Sequence, residues 1–78
     1  MKPEVAFGRV LKKLRTDQGL SQENLALEAG LERTFISMME RGLRQPSLTT
    51  ILKIAAVLNI PASDIVAEVE KLLSAKRR

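Results

Sequence analysis

The 78-residue chain has no cysteine, histidine, tryptophan or tyrosine, and only two phenylalanines. Without cysteine there is no disulfide, thiolate ligand or thiol nucleophile; without histidine there is no imidazole base and no zinc-site spacing. These gaps remove most familiar enzyme chemistries. The remaining Ser, Lys and carboxylate residues form no recognisable catalytic constellation, so neither an enzyme nor a bound metal or cofactor is expected. Long apolar runs are missing as well: none could span a bilayer, and charges interrupt 1-MKPEVAFGRVLKK-13 too often for a secretory segment. A cytoplasmic protein away from membranes is the expectation. With so few aromatics, the 45% hydrophobic content rests on Leu, Ile, Val, Ala and Met, a composition that favours packed helices. The length allows one domain, 1–78, whose small core must be economical or be completed by a second subunit.

Charge is present but ambiguous. The net charge of +4 and pI of about 10.0 suit an acidic partner such as nucleic acid. Lys76, Arg77 and Arg78 supply three of those charges, so the rest of the chain is nearly balanced and placement must decide.

Apolar periodicity and end signals divide the chain into five helices. Phe7, Val10, Leu11 and Leu14 recur at helical spacing from Pro3 to Gln18; Pro3 suits a first turn and Gly19 a stop. Ser21 is placed to cap Gln22 to Ala29, with Leu25, Ala26 and Ala29 inward. Gly30 permits a left-handed turn and Leu31 plugs the space between successive helices. A third helix follows from about Arg33 to Arg41, closed by Gly42. Ser47 caps Leu48 to Leu58, with Ile51, Leu52, Ala55 and Leu58 expected inward. After Asn59, Ile60 and Pro61, an apolar stripe of Ile65, Val66, Val69, Leu72 and Leu73 marks a fifth helix ahead of a basic tail at about 74–78.

From Ser21 to Arg41 the pattern is helix, tight turn at Gly30, helix, a unit that exposes the start of its second helix to a groove. Here the chain resembles the Cro/cI-type (XRE) helix-turn-helix family, from about Phe7 to Ile65. The resemblance is carried by 20-LSQENLALEAGL-31, 36-IS-37, 40-ERG-42, 46-PSLTTILKIAAVLNI-60 and their spacing. Within the family, 31-LERTFISMMERGLRQPS-47 is most similar to the controller proteins of restriction-modification systems. Two positions depart from the pattern: Glu32 stands where Asp, Ser or Thr would cap better, and Phe35 replaces a frequent Tyr.

The resemblance implies an all-α, compact five-helix lambda-repressor-like domain that regulates transcription as a homodimer on palindromic double-stranded DNA. RNA polymerase is a further partner it implies. An Arg at the front of a major-groove helix can donate two parallel hydrogen bonds to guanine O6 and N7, which assigns base contact to Arg33. Thr34, Ser37 and Met38 share that exposed face. Gln22, Phe35, Arg41 and Arg44 are candidates for the DNA backbone or minor groove, with Gln22 equally able to brace the recognition helix. Arg15 and Glu40 are expected to pair across helices one and three, setting the recognition helix's angle without touching a base. The stripe Ile65, Val66, Val69, Leu72 and Leu73 is expected to form the dimer interface; its bland alternative is a helix folded back on its own domain. A phage-type repressor, an antitoxin, and a helical interaction module without DNA binding remain the competing functions.

Overall fold

The computed structural model describes residues 1–75, and among them the chain forms five helices and no strand. They are α1 (Pro3–Asp17), α2 (Gln22–Ala29), α3 (Arg33–Glu40), α4 (Leu48–Leu58) and α5 (Ala62–Ala75). Arg41 is the residue after α3 rather than its last turn. Ser74 and Ala75, expected in a tail, belong to α5; Lys76, Arg77 and Arg78 lie outside the described residues.

The helix ends follow from local chemistry. The Ser21 Oγ accepts from the Asn24 amide at 2.9 Å, and the Ser47 Oγ accepts from the Thr50 amide at 3.1 Å, each satisfying a donor without an intrahelical partner. At the other end of α2, Gly30 takes the left-handed conformation (φ 69°) and Leu31 N–H returns to the Ala26 carbonyl at 2.8 Å. Asn59 does the same for α4 at φ 57°, with Ile60 N–H bonding the Ala55 carbonyl at 3.1 Å. Asn is among the few side chains that tolerate this region, and it reads in the sequence as plain connection. The Gln18 side chain donates to the Leu58 carbonyl at 2.8 Å, so the turn after α1 also closes the end of α4.

Every helix contributes to the core: Leu11, Leu25, Ile36, Met39, Ile54, Leu58 and Ile65 are its largest fully buried side chains. Burying each such side chain contributes roughly 1.5–3 kcal/mol. Two sequence expectations are corrected here. Leu52, placed inward by its apolar character, is 53% exposed, and Ile54 takes the central buried position of α4. The inward arc runs through Ile51, Ile54, Ala55 and Leu58 at helical spacing, which leaves Leu52 on the outer side beside Leu48, one turn earlier. Ile65, expected at a dimer interface, is 1% exposed and belongs to the core. Val69 and Leu72 follow it at i+4 and i+7 and also pack against the core, whereas Val66 is on the outer face. The apolar stripe of α5 is thus two adjacent faces, and the one headed by Ile65 folds back on its own domain.

α1 lies between α3 and α5, while α2 packs on α3 and α4. The short α3 is therefore held chiefly by the two helices that precede it.

Candidate nucleic-acid interface

α3 has one apolar side and one polar side. Ile36 and Met39 are fully buried and Phe35 is half-buried against the core. On the other side Arg33 and Thr34 are exposed, with Ser37 and Met38 half-buried one turn further on. Arg41 is exposed just past the helix, and Arg44 is exposed in the loop to α4. Among the described residues Arg33, Arg41 and Arg44 make no ion pair, so their hydrogen-bond donors are available to an external acceptor.

Behind this face lies a polar clamp. Arg15 Nε donates to Glu40 Oε2 at 2.6 Å and Arg15 Nη2 to Glu40 Oε1 at 2.9 Å, a two-pronged pair. The same guanidinium donates through Nη1 to the Leu20 carbonyl at 2.7 Å. Gln22 Nε2 completes the set by donating to Glu40 Oε1 at 3.0 Å. The side chains of Arg15 and Glu40 are 10% and 3% exposed, and among the described residues no buried polar side-chain atom is left without a partner. The hydrogen bond to Glu40 raises the Arg15 pKa above its ordinary value against the opposing effect of burial, so the guanidinium stays charged. Three elements, the end of α1, the start of α2 and the end of α3, are fastened at one carboxylate.

The structure therefore brings Arg15, Glu40 and Gln22 together and turns Arg33, Thr34, Ser37, Met38, Arg41 and Arg44 toward solvent. Gln22, half-buried, braces α3 in the free chain. Sequence reasoning missed Gly8, a buried glycine of α1 whose backbone lies against the last turn of α3. It also missed Leu48 and Leu52 as outward residues, 71% and 53% exposed; helical phase relative to Ile54 was the signal that separates them from the core.

A helix presented outward across a glycine turn from the helix that supports it is a helix-turn-helix unit. The helix-turn-helix family model matches residues 11–65. The control protein C.MunI of Mycoplasma sp is 42% identical over 69 residues, which are 87% of this chain and 93% of that one. The crystal structure of the restriction-modification controller protein C.AhdI from Aeromonas hydrophila superposes with a TM-score of 0.77 at 47% identity, covering 80% of this chain and 94% of that one. The biofilm regulator SinR, crystallised in complex with DNA, gives a TM-score of 0.73 at 31% identity over 77% of this chain and 97% of its own. The chain belongs to the helix-turn-helix family of DNA-binding transcriptional regulators, alongside the restriction-modification controller proteins. That family is one of regulators and not of enzymes.

Proposed function

We propose that the protein is a cytoplasmic, homodimeric controller that binds a palindromic operator through α3 and so regulates the genes of a restriction-modification system. The observation that carries this reading is the contrast across α3: its inner side is fastened by a fully paired clamp, while its outer side carries unpaired donors. A rigid helix with free donors is what base reading in the major groove requires.

In this reading Arg33 makes a bidentate contact to guanine, and Thr34, Ser37 and Met38 complete the base-reading surface. Arg41 and Arg44 bind phosphates or the adjacent minor groove, Phe35 contacts the DNA edge beside them, and Gln22 reaches a phosphate from the start of α2. One short helix reads few base pairs, and a two-fold dimer doubles the site, addressing half-sites about 34 to 36 Å apart or a multiple of that. The dimer surface is shifted from the expected stripe. Leu48 and Leu52 of α4 and Val66 of α5 are each 43% exposed or more, and Val66 lines a shallow recess of about 200 Å³ together with Phe7, Pro46, Ile51 and Val69. An exposed apolar surface next to a recess of side-chain size suits an isologous contact with a second copy. Leu73 extends this face from the far end of α5. Occupying promoter DNA, the dimer would block RNA polymerase at one position or recruit it from another.

Selection of bound duplexes from a random pool by mobility shift tests the reading. An enriched inverted repeat is expected. Retention of the whole pool without enrichment would mean that the fold serves protein contacts instead.

A further inference from the structure

α3 is two turns long and takes its position from α1 and α2. α1 supplies two unlike contacts. Arg15 reaches Glu40 through a long side chain, which fixes the partner but tolerates a range of distances between the helix axes. Two turns earlier on the same side of α1, Gly8 brings bare backbone against the end of α3. A Cβ built at Gly8 would fall on the Met39 carbonyl oxygen and stand 2.8 Å from the Glu40 carbonyl oxygen. One turn earlier again, Val5 lies against Gly42, just beyond α3.

A glycine inside a helix is unfavourable relative to alanine, and Gly8 is buried well inside the 15-residue α1. The carbonyls beside it supply the reason for its presence. Unlike a flexible side chain, a backbone oxygen retreats only if its helix moves. To restore an ordinary contact of 3.4 Å, the Glu40 oxygen would have to withdraw by at least about 0.6 Å, and the Met39 oxygen by more. α3 is a rod roughly 12 Å long, so displacement at its last turn shifts or tilts its first, where Arg33 and Thr34 stand.

We infer that Gly8 is a positioning residue for DNA reading: it sets how closely the recognition helix lies on α1, and thereby where Arg33 and Thr34 meet the bases. Phosphate contacts tolerate such a shift because long cationic side chains can follow it; a bidentate base contact does not, because its hydrogen bonds hold within narrow limits of length and angle. The inference rests on the DNA-binding function proposed above.

The test compares wild type, Gly8→Ala and Ile54→Val, the last a core change in α4 that adds no atom at the α1–α3 contact. Affinities for the selected operator and for a random duplex of equal length are measured at one salt concentration, with circular dichroism to establish folding. Folded Gly8→Ala should lose about tenfold or more on the operator and stay within about twofold on random DNA. Ile54→Val should keep the wild-type ratio. A wild-type ratio in folded Gly8→Ala overturns the inference. Should that variant not fold, Val5→Ala takes its place, because it thins the adjacent contact of α1 with Gly42, just beyond α3, without adding bulk: if the spacing of α3 from α1 sets the reading, its ratio should fall, and an unchanged ratio overturns the inference. A wild-type protein that prefers no duplex would instead sink the DNA-reading function itself.

Discussion

The two sides of α1 are joined to the molecule by opposite means. Toward α5 the buried contact is apolar: Phe7 and Val69 line one recess and Val10 and Leu72 another, the second also lined by the exposed Arg9, Lys13, Glu68 and Lys71. Toward α3 it is an ion pair plus a backbone approach, with Arg15 on Glu40 and Gly8 against the Met39 and Glu40 carbonyls. Apolar burial is non-directional and rewards area, so it can hold α5 while leaving its rotation loosely specified. Touching backbones reward one spacing and penalise its neighbours, while the hydrogen-bonded charges fix which groups meet. The directional contact lies behind the helix proposed to face DNA, where placement matters most.

Removing one half of the clamp breaks this comparison most strongly. Glu40→Ala leaves the Arg15 guanidinium buried without its carboxylate and should cost about 3 to 5 kcal/mol in urea unfolding. A double-mutant cycle on Arg15 and Glu40 with no coupling would show that the pair does not act as a unit. On the apolar side, Ile65→Ala should cost about 2 to 5 kcal/mol, mostly through the cavity it leaves. Its ratio of operator to random-DNA affinity should remain that of wild type; a fall would erase the distinction between the two sides of α1. Arg33→Ala is the converse case. We expect it to weaken operator binding by about 1 to 3 kcal/mol and flatten preference at one base position per half-site, with stability moving less than about 0.5 kcal/mol. Equal losses on operator and random duplexes would reassign Arg33 to the DNA backbone. Val66→Glu should have the smallest effect on folding, again within about 0.5 kcal/mol, yet analytical ultracentrifugation should find it shifted toward monomer. A variant that associates as wild type does would move the dimer surface elsewhere.

Sequence reading carried the elements well because helix ends are decided locally. Ser21 and Ser47 cap where their spacing from the apolar residues says they should, and Gly30 turns where a left-handed residue is needed. Which of two adjacent faces goes inward is decided by packing instead. Leu52 and Ile54, or Val66 and Ile65, look alike as apolar residues and differ only in phase relative to helices not yet placed. Gly8 illustrates the same limit: in the sequence it is a mild flaw in a helix, and its role exists only once the end of α3 lies against it. Of the candidate site, the Arg15–Glu40 partnership came with the family resemblance, since nothing in a spacing of 25 residues pairs two charges by itself.

The brevity of α3 has a consequence for how the protein fails. Its eight residues fall short of the roughly 12 to 15 that an isolated helix needs in water. The proposed reading surface has no existence apart from α1 and α2. Native-state hydrogen exchange should therefore find the inner amides of α3 opening with the domain as a whole, not in a separate local event. On warming, such a regulator passes directly from reading its site to not reading it, with no intermediate population of folded protein whose recognition helix has frayed.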